Sequence, residues 1–501
     1  MAAKFCGIVA FALLVAALLS AAPARAADVA VVVRPLFSAA EFATAGAVGE
    51  FVAGAGPWVS RESALAAVET GKVRNSLLGG KPGGPRLIQV SGKPAEITIY
   101  VSLPPPGWHD NDRRYPIAIV GGGYQGILTS PSTRIRGLVS IADIAPTAIA
   151  LERDRKPTIR AESDSDAPAT LTRLERRLTD ARDVRWPAAL IMIVAVISRG
   201  LLAIAKRSQL AGRAALLAPP TALAASLLLS GAGVTRPALV GVLLATAVFP
   251  GALALAAVTR RPVALAAALV AVLVLYLIVL AAWPEVNAVS AYGPHADEGG
   301  RFYGLPNRVE TILLLPALLA VGLLGLATVI PVAALALATV GLSATGADGG
   351  GLIVMAAGFL ALALRLRGRA LQPRTIALGA GAVLALALAI VGIDAALGGS
   401  SHVTRAVGGG PTELAGDFAR RIELSFERVT SSLQQGLFFL IGLSVLAVPG
   451  LARPRSAVRD ALLVAIAVSL VVNDAPIDAV GYGAMVTIAL WIWERASGPV
   501  E

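Results

Sequence analysis

The chain has 501 residues, of which 56% are hydrophobic and 15% are charged, and its mean hydropathy is +0.73. This composition excludes an ordinary water-soluble globular protein, because such proteins carry about 25% charged residues. The formal net charge of +11 does not indicate a nucleic-acid partner, since the arginines concentrate in short segments between apolar runs, where basic residues set membrane orientation. We therefore predict a protein whose main partner is the lipid bilayer.

Residues 1–26 have the pattern of a cleavable signal peptide. Lys4 supplies the positive charge, residues 5–19 form an apolar stretch, and Ala24-Arg25-Ala26 is a small-x-small cleavage site. An uncleaved first helix would look similar, but this apolar run is shorter than a bilayer span. The only cysteine, Cys6, lies within this segment, so the mature chain is predicted to form no disulfide.

Residues 28–152 have the composition of a soluble α/β domain. Short β-rich runs at 97–101 and 117–120 are separated by glycine and proline clusters. Residues 153–185 are highly charged and have helical spacing in their second half, which predicts a linker and stalk helix. Trp186 then marks the membrane interface.

A polytopic membrane domain is predicted at residues 186–495. Apolar runs of helical length predict about eleven spans, at 186–205, 214–231, 237–258, 263–282, 309–326, 329–346, 351–366, 375–395, 433–451, 460–474 and 478–493. As one helix, the run from Val309 to Gly346 would be about 57 Å long, nearly twice the hydrocarbon thickness. It is therefore predicted to form two spans with a turn near Pro331, and the last two spans of the domain are short.

The export signal and the basic residues predict the same orientation, because an exported N-terminus forces the first span to run from outside to inside. The basic residues then fall in cytoplasmic turns: Lys206, Arg207, Arg213, Arg260, Arg261, Arg365, Arg367, Arg369, Arg374, Arg453, Arg455 and Arg459. The longer loops 283–308 and 394–432 fall outside. The predicted fold is a small extracytoplasmic α/β domain followed by an all-α polytopic bundle in the bacterial cytoplasmic membrane, with a cytoplasmic C-terminus.

Polar residues of the membrane domain cluster on the predicted extracytoplasmic side. Ionisable groups are costly there without partners, so such a cluster is a candidate functional site. Its members are Arg301, Tyr303, Asn307, Glu310, Asp348, Ser401, His402, Arg405, Asn473 and Asp474. These side chains could converge on one cavity; the alternative is that loops are simply polar and that Asp-Gly and Gly-Gly are ordinary turn signals.

The residue types in this cluster suggest two chemical roles. Three arginines could clamp a phosphate or a carboxylate, namely Arg301, Arg308 and Arg405. Three side chains could act as a general base, namely His402, Glu310 and Asp348. Because the three histidines of the chain are far apart in sequence, a zinc site is not indicated, and we predict no metal and no cofactor.

Residues 412–433 have the pattern of an amphipathic helix. Six apolar residues share one helical face, namely Leu414, Phe418, Ile422, Phe426, Val429 and Leu433. The predicted position of this helix is flat on the outer membrane surface, covering the bundle. Packing against the soluble domain is the alternative.

Part of the soluble domain resembles a known superfamily. The stretch from Gly126 to Thr147, which contains Asp143-Ile-Ala-Pro-Thr147, is similar to the closing segment of alkaline phosphatase superfamily domains, and Ile97 to Pro106 resembles the strand that precedes it. The resemblance implies a type of bacterial envelope protein that joins such a domain to a multi-span bundle. Loops similar to 301–307 and 473–474 recur in those proteins.

The departures from that superfamily imply a domain without catalytic activity. Its hydrolases need a nucleophile and two metals held by several Asp and His residues, but this domain is much smaller and has one histidine, His109. His109, Asp110 and Asp112 could hold one ion, although a solvated turn without metal-ligand spacing is favoured. The resemblance thus implies a truncated relative that binds a ligand or positions the bundle.

Three functions remain open. The first is action on a lipid-linked or polymeric anionic envelope substrate at the outer face, motivated by the one-sided polar cluster. The second is a transporter or flippase of an envelope precursor, whose polar groups should lie near the middle of the bilayer. Arg199 is the clearest charge within a predicted span, and it lies near the cytoplasmic end of that span, where its side chain can reach the interface. The third is a membrane scaffold that binds a partner through residues 28–185.

Overall fold

The computed structural model describes residues 27–79, 83–294, 296–370, 372–399 and 410–497. The predicted signal peptide at residues 1–26 therefore lies outside the described residues. Contacts divide the chain into two compact units. The first, residues 27–74 and 83–172, is called the N-terminal domain below; the second, residues 75–79 and those from 173 onward, is called the bundle.

The N-terminal domain is a small α/β unit, as predicted. Its strands are β1 (Val29–Arg34), β2 (Gly46–Val52), β3 (Trp58–Ser60), β4 (Ile97–Ser102), β5 (Trp108–Asp110), β6 (Arg114–Val120), β7 (Gly126–Thr129), β8 (Leu138–Ser140) and β9 (Arg160–Glu162). Its helices are α1 (Arg61–Thr70) and α2 (Ile144–Glu152). Both β-rich runs singled out in the sequence thus form strands, β4 and β6.

Seven of these strands form one mixed sheet in the order β1-β4-β6-β2-β7-β9, with β8 beside β2. The central strands are antiparallel, and Ile99 of β4 lies opposite Ile119 of β6. Both side chains are fully buried, in a core that includes apolar residues of α1 and α2. On the other face, Phe37 and Phe42 pack with Ile127. Burial on both faces explains why these strands read as nearly continuous hydrophobic runs.

The charged stretch 153–185 is not a linker throughout, which corrects the sequence interpretation. Residues Arg160–Glu162 form the edge strand β9, antiparallel to β7. Arg136 pairs with Glu162 at 3.4 Å and with Asp164 at 3.1 Å, so charges that predicted solvation also hold the sheet edge. Helix α3 (Ala167–Lys206) then runs without a break for 40 residues.

Asp143 immediately precedes α2, but its carboxylate does not cap that helix. It is buried and accepts hydrogen bonds from the hydroxyls of Ser130 and Ser132, the latter at 2.9 Å. The carboxylate therefore holds the loop after β7. His109 lies in the short strand β5, paired with β3, rather than in a loop, and its Nε2 is 3.1 Å from the carbonyl oxygen of Pro106.

The bundle is helical. After α3 come α4 (Gln209–Gly231), α5 (Pro237–Val258), α6 (Pro262–Ala282), α7 (Pro284–Ala288), α8 (Asn307–Leu324), α9 (Val329–Gly341), α10 (Gly349–Leu366), α11 (Pro373–Ala396), α12 (Pro411–Thr430), α13 (Leu433–Leu451), α14 (Ala457–Val472) and α15 (Pro476–Ser497). Within the described residues, nine helices are long and apolar enough to cross a membrane: α3, α4, α5, α6, α8, α10, α11, α13 and α15. The chain is thus a multi-pass membrane protein, and α15 is longer than the sequence suggested. Spans were also predicted where α9 and α14 lie, but these helices are shorter, and the count of eleven stays a prediction.

The run from Val309 to Gly346 divides into α8 and α9, but not at Pro331. Helix α8 ends where Gly325 adopts a φ of 89°, a conformation that glycine tolerates best. Pro331 instead lies in the first turn of α9, where its missing N–H has no helical partner in any case. The glycine, rather than the proline, marks the turn.

Arg199 is bound by a local irregularity of α5. Residues Ala247–Gly251 form a π-turn that contains Pro250. The guanidinium of Arg199 donates to the carbonyl oxygens of Val248, at 3.3 Å, and of Phe249. Because a cation within a span is stabilised by backbone carbonyls in this way, Arg199 has a structural partner and need not mark a transport path.

Where α10 ends and α14 begins, several arginines predicted to set orientation form ion pairs. Arg365 binds Asp460 at 2.8 Å, and Arg455 binds the other oxygen of the same carboxylate. Arg459 lies 3.5 Å from Glu494 of α15. These contacts join three helices, so the arginines also have a structural role.

We expect Asp460→Asn to destabilise the bundle, because both arginines would lose their shared anionic partner. A loss of about 2 kcal/mol is expected for a largely buried carboxylate with two charged donors. Asp183→Asn is the matched control: its contact with Arg182 is longer, at 3.6 Å, and more exposed. That change should cost under about 1 kcal/mol. Thermal unfolding of the full chain in detergent compares the two, and equal effects would contradict the structural role of Asp460.

Candidate functional site

Six of the ten predicted site residues form one connected group at the end of the bundle where α8 and α10 start and α14 ends. The group consists of Arg301, Asn307, Glu310, Asp348, Asn473 and Asp474 and is called the polar cluster below. The loop before α8, the first turn of α8, the start of α10 and the connection between α14 and α15 supply its members. Residues more than 150 positions apart in sequence are in direct contact here, as Glu310 and Asn473 are.

Asp348 anchors one side of the polar cluster. It is buried, and its Oδ1 accepts a hydrogen bond from the backbone N–H of Gly351 at 3.0 Å, which caps α10. Its Oδ2 lies 3.1 Å from Nη1 of Arg301. Arg301 also donates to the carbonyl oxygen of Leu305. Asp348 is therefore a helix cap and an ion-pair partner, and both of its oxygens are engaged.

Glu310 and Asn473 form the buried centre of the polar cluster. Glu310 has no solvent exposure, and its Oε2 accepts a hydrogen bond from Nδ2 of Asn473 at 2.9 Å. The same amide donates to the hydroxyl of Ser469, one turn earlier in α14, at 3.0 Å. Among the residues that the structure describes, neither Oε1 of Glu310 nor Oδ1 of Asn473 has a hydrogen-bond partner. Two buried acceptors thus remain unsatisfied on side chains that touch each other.

Two glycines at the start of α10 allow this close packing. A Cβ atom on Gly350 would lie 2.0 Å from Oδ1 of Asn473. A Cβ atom on Gly351 would lie 3.0 Å from the Glu310 carboxyl carbon and 2.8 Å from Val340. The Gly-rich segment, which can be read from sequence as an ordinary turn, therefore admits both polar side chains against the helix backbone.

Asp474 links the polar cluster to α12. Its Oδ1 accepts a hydrogen bond from Nδ2 of Asn307 at 3.2 Å, and its Oδ2 lies 3.5 Å from Arg428 of α12. Burial favours a higher pKa for the Asp474 carboxyl, but the guanidinium groups of Arg428, Arg421 and Arg301 and the Asn307 hydrogen bond outweigh it. The pKa of Asp474 is therefore lowered.

Helix α12 turns its polar face to the polar cluster. The hydroxyl of Ser425 donates to the carbonyl oxygen of Asn473 at 2.9 Å, and Arg421 lies 3.4 Å from the carbonyl oxygen of Val472. The predicted apolar face is exposed instead: Phe418, Ile422 and Phe426 retain 40%, 49% and 67% of their accessible surface. An amphipathic helix was predicted at this position, and its apolar side points away from the bundle helices.

The predicted arginine clamp does not form as proposed. Arg308 lies near the cluster in sequence, but its guanidinium donates to the carbonyl oxygens of Tyr292, at 3.1 Å, and of Gly293. It therefore stabilises the preceding loop and does not join Arg301 around an anion. Tyr303 is buried in the same loop. Ser401, His402 and Arg405 lie outside the described residues.

Four residues of the site were not singled out from sequence. Ser469 looks like an ordinary helix residue. Arg421, Ser425 and Arg428 lie in the predicted amphipathic helix outside its six apolar positions, and their spacing of four and three places all three on one stripe. That stripe was the available signal, because it predicts which side of the helix faces a polar surface.

Within the described ranges, no three His, Cys, Asp or Glu side chains lie close enough together to hold a metal ion. Comparison with known proteins found no matching family model, no matching curated protein and no matching solved structure.

We expect Gly350→Ala to destabilise the polar cluster, because the added methyl group cannot coexist with Oδ1 of Asn473. Alanine favours a helix by about 1 kcal/mol over glycine, so the change would stabilise an unobstructed position. Gly392→Ala in α11 is the matched control, since its Cβ would meet nothing within 4 Å. Thermal unfolding should show a lower midpoint for Gly350→Ala and an unchanged or higher one for Gly392→Ala. A rise for both would show that Asn473 does not pack against Gly350.

The lowered pKa of Asp474 predicts an acid-sensitive contribution to stability. A carboxyl whose pKa is depressed by folding stabilises the protein fully above its unfolded pKa, about 4, and loses this contribution as the pH falls through the folded value. The stability difference between wild type and Asp474→Asn should therefore be constant near neutral pH and shrink in acid. Unfolding midpoints measured across that range test this. In an Arg428→Gln background the shrinkage should be smaller, and a difference that grows in acid would contradict the sign of the shift.

Proposed function

We propose that this multi-pass protein belongs to the bacterial cell envelope and acts at the extracytoplasmic face on a lipid-linked or polymeric anionic substrate. The orientation proposed from the export signal and the basic turns would place the polar cluster on that face. When α9 and α14 are counted as short spans, the proposed topology has eleven crossings, and the C-terminus lies in the cytoplasm.

The observation that carries this proposal is the two-sided position of α12. One side contacts the connection between α14 and α15 through Arg421, Ser425 and Arg428, and the other exposes Phe418, Ile422 and Phe426. An amphipathic helix of this kind lies at the boundary of headgroups and acyl chains. A lipid-linked substrate has the same division, with an apolar chain on one side of that boundary and a charged group on the other.

Arg421 and Arg428 are the arginines best placed to meet an anionic group. Each guanidinium has five N–H donors, and the contacts of Arg421 with the Val472 carbonyl and of Arg428 with Asp474 are long, at 3.4 and 3.5 Å. Each of these contacts engages only part of its guanidinium, which leaves N–H donors for a further ligand. A phosphate could bind them through charge-assisted hydrogen bonds, which are stronger than neutral ones.

For the N-terminal domain, the resemblance to the alkaline phosphatase superfamily supports a proposal of a truncated, non-catalytic relative. The contacts of two residues fit a structural role: Asp143 binds two serines of its own domain, and His109 contacts a backbone carbonyl. A ligand-binding or positioning function is the one that we propose for this domain.

The anionic-substrate proposal is tested with a matched pair of probes, a polyprenyl monophosphate and the corresponding neutral polyprenol. Native mass spectrometry of the full chain in detergent should show that the phosphate binds and the alcohol does not. Combined replacement of both arginines, Arg421→Gln with Arg428→Gln, should weaken phosphate binding at least about tenfold, because losing charged hydrogen bonds costs about 1.5–3 kcal/mol each.

Arg420→Gln provides the control for that experiment. It removes the same charge from the same helix, but from an exposed position outside the stripe that contacts the polar cluster. Binding should be close to that of wild type. Equal binding of polyprenol and polyprenyl monophosphate, or equal weakening by the control, would overturn the assignment of Arg421 and Arg428.

A further inference from the structure

The polar cluster contains one buried carboxyl group without a paired cation, that of Glu310. Asp348 and Arg301 neutralise each other at 3.1 Å. Glu310, fully buried a short distance away, receives its hydrogen bond from the neutral amide of Asn473. In the part of the chain that the structure describes, no lysine, arginine or histidine forms an ion pair with Glu310. A buried carboxylate without a cationic partner is strongly unfavourable, so a positive charge is required there.

The unsatisfied oxygens indicate where that charge would bind. Oε1 of Glu310 and Oδ1 of Asn473 are both buried and both lack a donor among the described residues. They belong to side chains already joined by a hydrogen bond of 2.9 Å, and the second lies against the start of α10 at Gly350. Buried polar atoms in native proteins nearly always have a partner, so two orphaned acceptors on neighbouring side chains indicate an unrecorded ligand.

We infer that Glu310 and Asn473 form a binding site for one monovalent cation, either a proton or an alkali metal ion. A proton and an alkali metal ion each carry one positive charge and bind to acceptor oxygens, which is the chemistry that this site requires. A divalent ion does not fit, because only one negative charge is uncompensated and the described residues offer no group of three metal-binding side chains.

The groups around Glu310 fix the charge balance of this site. They are Asp348 at the start of α10, Arg301 in the loop before α8, and Asn473 at the end of α14. Arg421 of α12 lies on the Asn473 side, because a Cβ atom on Gly350 would meet both Oδ1 of Asn473, at 2.0 Å, and Nη1 of Arg421, at 3.1 Å. Asp348 increases the need for a cation, whereas Arg301 is already committed to Asp348 and to Leu305. The inference goes beyond the proposed function, because the ligand oxygens of this site belong to Glu310 and Asn473 and not to the substrate-binding arginines.

The first experiment replaces sodium chloride by choline chloride at constant ionic strength and follows thermal unfolding of the purified full chain. Choline is too large for a buried site and has no N–H donor. If the ligand is an alkali ion, sodium should raise the unfolding midpoint in a saturable way by several degrees, as expected for a ligand that binds only the folded protein. The rise should be absent in Glu310→Gln and reduced in Asn473→Leu.

A second measurement tests whether the bound cation is a proton. If sodium and choline give the same midpoint, the wild-type midpoint should depend on pH in a range where that of Glu310→Gln does not. The control for both arms is Glu285→Gln, which removes a glutamate paired with Arg177 and should keep the wild-type responses.

Direct binding makes the test independent of how well a variant folds. Radioactive sodium bound to the wild-type chain should be displaced by unlabelled sodium or by acid, and not by choline. If wild type binds no sodium and shares the pH dependence of Glu310→Gln, the inference is overturned. Weakened polyprenyl phosphate binding in Arg428→Gln alone, with the cation response retained, would separate this result from that of the proposed function, because Arg428 contacts Asp474.

Discussion

The contact between Glu310 and Asn473 ties together three helices of the bundle at a single point. Glu310 lies in the first turn of α8, and Asn473 directly follows α14. Both side chains pack against the first residues of α10. Polar groups in the apolar interior of a membrane bundle need a partner from the protein or from a bound ligand, since lipid supplies none. The other members of the polar cluster follow from this constraint. Asp348 caps α10, Arg301 neutralises Asp348, and Asn307 with Arg428 holds the neighbouring Asp474.

Much of this group could be predicted from the sequence, because charged residues are so scarce in the membrane domain. Glu310, Asp348 and Asp474 stand out against apolar neighbours, and their common side follows from counting spans. Their contacts could not be predicted, because they depend on helix rotation and on the few ångströms that a glycine leaves open. The contacts of Arg308 could not be predicted for the same reason. Arg308 lies in the same polar segment as Arg301, but its guanidinium binds backbone carbonyls instead.

The fold shows a similar division. Hydrophobic runs predicted the central strands β4 and β6 and most of the long helices, since burial dominates those elements. Charge was a poorer guide between residues 153 and 185. The stalk helix predicted there is part of α3, but residues 160–162, predicted to belong to a solvated linker, form an edge strand. Arg365 and Arg455 show the reverse case: a positive charge that indicates membrane orientation can also be an ion-pair partner within the protein.

The closeness of Gly350 to Asn473 has a consequence for evolution. No side chain larger than a hydrogen atom fits at position 350 while Asn473 keeps its place, so the two positions cannot drift separately. A substitution at either one would need a compensating change at the other or in Glu310. In diverged descendants of this chain, these three positions should therefore change together or remain fixed. This set of residues would then identify related chains even where the surrounding apolar residues had been replaced.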